Sequence, residues 1–211
     1  YRLALDGAEE GEVVISESQE KGKGRLGRQW FSPPFLNLYL SVILRPKIPP
    51  HQASLITLMA AVATADAIRR FSGLRPLIKW PNDMLLRDRK VAGLLNEIHS
   101  EIDRIHFVIL GIGVNLNTDK SMFLKEIRAA ATSLMIEMGQ TISRKAFLQV
   151  LLEELERWYS ILINEGSAVI LKAWRSRAHI KGRRVNVTSF GERLAGMAID
   201  VDSDGALILE T

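Results

Sequence analysis

Residues 21–28, Lys-Gly-Lys-Gly-Arg-Leu-Gly-Arg, put the cations Lys21, Lys23, Arg25 and Arg28 among the glycines Gly22, Gly24 and Gly27. Glycine lets a backbone approach a ligand closely and adopt positive φ. Backbone amides beside Lys and Arg make a receptor for phosphate oxygens. The glycines fit the pattern G-x-G-x-x-G, but Trp30-Phe31-Ser32-Pro33-Pro34 follows. Prolines there do not continue a helix, and the dinucleotide fingerprint needs one to start at the loop. Gly27-Arg28-Gln29 is not the Gly-Lys-Ser/Thr end of a Walker loop either. The physical expectation is a basic loop that stays disordered until an anion arrives. A solvated basic turn is the plain alternative.

Three further stretches could do chemistry with it. Lys79-Trp80-Pro81-Asn82-Asp83 sets a cation and a carboxylate beside a proline-fixed turn; it is equally the composition of an ordinary turn. Arg89-Lys90-Val91-Ala92-Gly93 starts a strand with a lysine and includes a glycine that allows close packing. Gly111-Ile112-Gly113-Val114-Asn115 ends an apolar strand in an amide, either a strand-end cap or a reader of a base edge. His51, His99, His106 and His179 lack metal-ligand spacing, and the chain has no cysteine. The chemistry on offer is therefore electrostatic: cations converge on an anion and the protein supplies position.

The elements that must hold these residues follow from pattern. Residues 13–15 form a strand. Residues 36–44 alternate, with Leu38, Leu40, Val42 and Leu44 toward a core and Asn37, Tyr39, Ser41 and Ile43 toward a mixed face, which is either a pocket wall or a solvent face. A helix spans 51–71 and stops at Gly73. Strands at 77–80, 84–86 and 91–98 follow, with the turn at Arg87-Asp88-Arg89, then a strand at 105–116 in which Gly111 and Gly113 mark a bulge or close approach. One or two short helices fall within 123–138. Ser143 caps a long helix to 164 that buries Phe147, Val150, Leu151, Trp158 and Leu162. A helix at 167–178 ends in basic residues. Residues 181–211 read as short strands with glycine turns, a small β barrel or meander. The fold class is α+β: a mixed, mostly antiparallel sheet with flanking helices, followed by a small SH3-like β barrel. The expected division is 1–180 and 181–211.

With 211 residues, 47% hydrophobic, the chain can bury a sizeable core. No apolar run reaches about eighteen residues, so no membrane span is expected. Net charge is only +4, and much of the positive charge sits at 21–28 and 172–184. So local an excess suits a small phosphate-bearing ligand at least as well as nucleic acid. The location expected is cytoplasmic. The chain begins with Tyr, so its natural start is expected upstream.

Taken in order, the four stretches resemble the catalytic domain of the biotin protein ligases. That family's Gly-Arg-Gly-Arg-x-Gly-Arg-x-Trp is matched by residues 22–30, its Lys-Trp-Pro-Asn-Asp by Lys79 to Asp83 unchanged, its Lys-apolar-Gly/Ala-Gly by Lys90 to Gly93, and its Gly-x-Gly-x-Asn by Gly111 to Asn115; Asn37-Leu38-Tyr39-Leu40-Ser41 matches as well. The resemblance runs from about residue 13 to the end. It implies a two-step ligase: biotin and ATP give biotinyl-5′-AMP and pyrophosphate, then a lysine of a biotin carboxyl carrier domain takes the biotin. By that resemblance Gln19, Gly22, Lys23, Gly24, Arg25, Tyr39, Ser41, Lys90 and Gly93 bind biotin. Arg25, Arg28, Trp30, Lys79, Asn82, Asp83 and Asn115 bind ATP. Lys90, Arg25 and Lys79 are catalytic, and Asp83 contacts magnesium. A homodimer is left open.

This chain departs from the family at Lys23, which keeps a charge where arginine is usual but loses its fork. The family's biotin-contacting Ser-Thr-Asn segment has no counterpart in residues 1–20, and the C-terminal barrel reads as shortened. The repressor-type helix-turn-helix is absent from the chain, and no operator binding is expected of it. Two competing readings stand beside the ligase: a lipoate or octanoate ligase of the same fold, and a non-catalytic regulatory module binding nucleic acid through the basic loop.

Overall fold

The structure, a computed structural model, describes residues 1–178, 180–189 and 192–211; His179 lies outside them. In chain order the elements are α1 (Arg2–Leu5), β1 (Val13–Ser16), β2 (Leu38–Leu44), α2 (Ser54–Ser72), β3 (Leu77–Lys79), β4 (Asp83–Leu86), β5 (Arg89–Ser100), β6 (Ile105–Val114), α3 (Leu134–Met138), α4 (Arg144–Glu165), α5 (Ser167–Arg175), β7 (Arg184–Ser189), β8 (Glu192–Val201) and β9 (Leu207–Glu210). Strands β1–β6 form one sheet in the order β1-β2-β6-β5-β4-β3, with every neighbouring pair antiparallel. Strands β7–β9 form a separate antiparallel meander, the small SH3-like unit.

Alternation in β2 sends Leu38, Leu40, Val42 and Leu44 into the main core, where Val108, Leu110, Ile112 and Val114 of β6 meet them. Helices α2, α4 and α5 cover this face. Helix α2 is buried nearly all round, and Gly73 closes it in the left-handed conformation at φ 74°. Ser143 caps α4 by accepting from Ala146 N at 3.3 Å. Of the apolar residues expected on the buried side of α4, Val150 is only half-buried. The opposite face of the sheet is divided. At one end Ile43, Phe107 and Ile109 are covered by Ala4 of α1. The other end is left open, and it holds the chemistry.

Two expectations change, at the β4–β5 turn and at the end of α5. The β4–β5 turn is the pair Arg87 and Asp88, at φ 48° and 61°, while Arg89 already belongs to β5. Both turning residues carry positive φ, as a two-residue hairpin demands. Of the one or two short helices expected within 123–138, one is present, α3, capped by Ser133; the loop before it folds around Arg128, which donates to the carbonyls of Ser121 and Phe123. Helix α5 stops at Arg175 because the chain beyond it turns to pair with β3: Ile78 N donates to Arg177 O at 2.9 Å, and Ala178 bridges Ile78 in parallel. Residues 22–30 take the conformation of a miniature hairpin. Trp30 N donates to Gly22 O at 2.8 Å and Gly24 N to Arg28 O at 2.7 Å, so the loop satisfies its own backbone.

The small unit docks on the large one. Ala198 and Val201 join the main core. Trp80 Nε1 donates to Gly205 O at 3.1 Å, and Ser54 Oγ donates to Asp204 O.

Candidate active site

A row of paired residues crosses the open face. Tyr39 of β2 pairs with Gly113 of β6, Gly113 with Gly93 of β5, and Gly93 with Asp83 of β4. The two glycines leave a floor of bare backbone at its centre. The indole of Trp30 lies on that floor. A Cβ at Gly113 would stand 2.6 Å from Trp30 Cε2, and one at Gly93 would stand 2.9 Å from Trp30 Cζ3. The glycines inside these strands thus mark a close approach, one of the two readings open from sequence. The indole N–H is buried there with no acceptor among the described residues, a costly arrangement for a polar group.

Above and beside this floor lies a cleft of about 1100 Å³. Gln19, Lys23, Gly24, Arg25, Arg28, Trp30, Ser41, Lys79, Asn82, Asp83, Lys90, Gly93 and Asn115 all line it. Stretches that lie far apart in sequence therefore meet at one place. Lys90 lines the cleft beside Gly93. Its Nζ lies 2.6 Å from Asp83 Oδ1 and 5.0 Å from the centre of the Trp30 ring. The contact with Asp83 misses hydrogen-bond direction, since that oxygen is buried without a donor. It is a charge contact, which an arriving anion can replace. At the cleft's edge Lys23 Nζ donates to Glu97 Oε1 at 2.8 Å, and this bond is the chief reason the lysine's pKa rises above its ordinary value. Among the described residues, Arg25, Arg28 and Lys79 line the cleft without a carboxylate in ion-pair reach.

Several expected site residues are used differently. Tyr39 does not line the cleft. It is buried, accepts from Asn37 Nδ2 at 3.1 Å and donates to Pro33 O at 3.0 Å. Burial pushes its hydroxyl up to about 12, so it keeps the proton it donates. Asn37 also accepts from Leu116 N at 2.9 Å, so this pair ties the loop's exit to the end of β6. Gly22 sits beneath the hairpin, where a Cβ would meet Trp30 O at 2.6 Å; it shapes the loop and does not line the main cleft. Asn82 spends its Nδ2 on Leu94 O at 2.7 Å, and Asn115 spends its own on Thr132 O at 3.0 Å. Asn115 thus stands at the cleft wall just beyond β6, with its amide nitrogen bonded to the backbone.

Sequence reasoning missed Glu97, although alternation from Gly93 through Leu95 puts it on the same face of β5. It also missed Arg183, Arg184, Asn186 and Thr188, which the small unit contributes to the cleft wall. No local pattern announces them, because they reach the cleft only through docking. Among the described residues Asp83 is the carboxylate that pairs with Lys90, and no three metal-ligating side chains cluster.

Residues 2–115, more than half of the chain, match the biotin/lipoate A/B protein ligase family, and residues 181–211 match the biotin protein ligase C terminal domain. The chain belongs to the biotin/lipoate A/B protein ligase family. It is 36% identical over 211 residues to the bifunctional ligase/repressor BirA of Bacillus subtilis, covering all of this chain and 65% of that protein. The chain thus spans just under two thirds of that relative's length. It is 34% identical to the biotin–[acetyl-CoA-carboxylase] ligase of Paracoccus denitrificans, covering 93% of this chain and 82% of the relative. In structure it is similar to the biotin protein ligase of Aquifex aeolicus in complex with biotin and ATP, with a TM-score of 0.86 at 25% identity, covering all of this chain and 86% of that one.

Proposed function

We propose that this chain joins biotin to ATP as biotinyl-5′-AMP, releasing pyrophosphate, and then passes biotin to a lysine of a biotin carboxyl carrier domain. The observation that carries the reading is the convergence of the basic hairpin, Lys90 and Asp83 on the glycine floor. The relatives named above, and the biotin and ATP bound in the Aquifex protein, support it.

In the first step the biotin carboxylate attacks the α-phosphate and pyrophosphate leaves. Negative charge grows on the α-phosphoryl oxygens, and a fixed cation there favours the transition state over the ground state. Lys90 is that cation in our reading, exchanging its contact with Asp83 for the phosphate. Arg25 on the hairpin holds the adenylate, and Lys79 assists on the phosphates. Ser41 and the floor at Gly93 take the biotin end, with the hairpin closing over the mixed anhydride to exclude water. In the second step the carrier's amine attacks the acyl carbon, and AMP leaves. Magnesium fits only as an ion that arrives with the nucleotide. It is commonly held by one or two carboxylates plus substrate phosphates, and Asp83 offers one. When bound it would offset phosphate charge.

We keep the division at 1–180 and 181–211, with the nucleotide and biotin held mainly by the first part. No described helix is long and apolar enough to cross a membrane, and we place the chain in the cytoplasm. A homodimer stays an expectation, which a molecular-mass measurement decides. Biotin-dependent exchange of pyrophosphate into ATP tests the activity. Exchange that needs biotin and is not competed by lipoate supports it; exchange driven by lipoate instead turns the reading to the lipoate branch. Salt-dependent DNA binding without exchange would favour the regulatory module.

A further inference from the structure

The basic hairpin brings several cations to the cleft, and one of them is held away from its centre. Lys23 Nζ donates to Glu97 Oε1 at 2.8 Å. Glu97 stands four positions beyond Gly93 on β5, about 13 Å along an extended strand. Gly93 is where the Trp30 indole and the Lys90 side chain converge, both about 3 Å from a Cβ built there. An ammonium fixed at Glu97 is therefore remote from an anion at Lys90.

We propose that Glu97 is a positioning residue, anchoring the basic hairpin through Lys23 so that Arg25, and not Lys23, is presented to the bound adenylate. The inference rests on the ligase reading and deepens it. It also accounts for the lysine at this position: a single-point anchor needs a compact charge, whereas a phosphate clamp favours arginine's fork.

The hairpin's own geometry makes such an anchor effective. Lys23 pairs with Gln29 across the hairpin, and Gly24 N bonds Arg28 O, so holding Lys23 holds both arms. The second arm runs directly into Trp30, whose indole rests on Gly93 and Gly113. The hairpin is thus attached to the cleft face of β5 at two places, positions 93 and 97. Arg25 begins the tight turn at its tip, where Leu26 and Gly27 take positive φ. Glu97 and Leu95 line the hollow beneath. The ion pair is exposed, 70% at Lys23 and 38% at Glu97. Such a pair is weak and screened by salt, which suits a loop that must give way when the carrier's lysine arrives.

The test compares wild type with Glu97→Gln and with the exchanged pair Lys23→Glu/Glu97→Lys. Two quantities are read: loss of preformed biotinyl-adenylate after dilution, and tryptic cleavage after Arg25 and Arg28 without ligand. Glu97→Gln is expected to speed both, by up to about fivefold at low salt, with the difference gone near 1 M salt. The exchanged pair is expected to return both toward wild type. An unaltered or slower loss of adenylate in Glu97→Gln overturns the inference, as does an exchanged pair that leaks like the single variant. If wild type forms no adenylate, the ligase reading fails by itself, and the cleavage rates still judge the anchor.

Discussion

Arg177 and Arg25 have the same side chain and opposite surroundings. Arg177 belongs to the basic run at 172–184. Its guanidinium makes three bonds to Asp66 at 2.9–3.0 Å. The Asp66 side chain is 5% exposed and also accepts from Trp158 Nε1 and Arg157 Nη2, each at 3.1 Å. Arg175, in the same run, bonds Asp200 at 2.8 Å and Val201 O at 2.9 Å. These cations hold α2, α4, α5 and the small unit together. Arg25 belongs to the run at 21–28, where the ion pair found among the described residues is the exposed one between Lys23 and Glu97. Basic runs of this kind look alike on paper. A carboxylate already buried beside the guanidinium makes a cation structural, and an open cleft beside it leaves the cation for a ligand. Arg183 and Arg184 mark the limit of the contrast, since they end the structural run and yet line the cleft.

Four substitutions probe that contrast. The largest effect on stability is expected at Asp66→Ala. Removing one partner of a buried, hydrogen-bonded ion pair costs about 3–5 kcal/mol, read as a lower denaturation midpoint. Adenylate formation should fall only as the folded fraction falls; a specific loss in the folded protein would erase the distinction between the two regions. Lys90→Ala is expected to do the reverse. Adenylate formation in a single turnover drops by roughly 10²–10³, the cost of a lost transition-state donor, while the denaturation midpoint changes little. Undiminished adenylation would remove Lys90 from the chemistry.

Gly113→Ala comes next. Its Cβ meets the Trp30 ring at 2.6 Å, and overpacking of this kind costs about 1–3 kcal/mol. The indole should leave the floor, changing the Trp30 contribution to fluorescence, obtained by subtracting the spectrum of Trp30→Phe; an unchanged contribution would put the indole elsewhere. The smallest stability effect belongs to Arg25→Gly, within about 0.5 kcal/mol as for other exposed positions. Its signature is escape of activated biotin onto unrelated amines. Retention equal to wild type would show that the hairpin's cations are as decorative as a solvated turn.

Much of this arrangement is legible from residues alone. Period-two alternation located β2, an apolar run located β6, and Ser143 and Gly73 bounded their helices, because side-chain direction and cap chemistry are local. The cleft's lysines and its basic loop were legible through type and order. What stayed hidden depends on tertiary contact. Tyr39 looked like a pocket wall, but its polar tip turns to Pro33 O. Alternation gives a residue's face and not the destination of its hydroxyl. Arg128 organises residues 121–123 through carbonyl bonds that no helical period encodes. Glu97 needed the fold of the hairpin before it acquired a partner.

The bond from Trp80 Nε1 to Gly205 O bears on engineering. Trp80 stands between Lys79 and the turn that leads to Asp83, so the C-terminal module grips the same pentapeptide that brings Lys79 and Asp83 to the cleft. A chimaera carrying a foreign module must bring its own carbonyl to that indole. Without it, the graft would fold at each end and still fall out of alignment at the join.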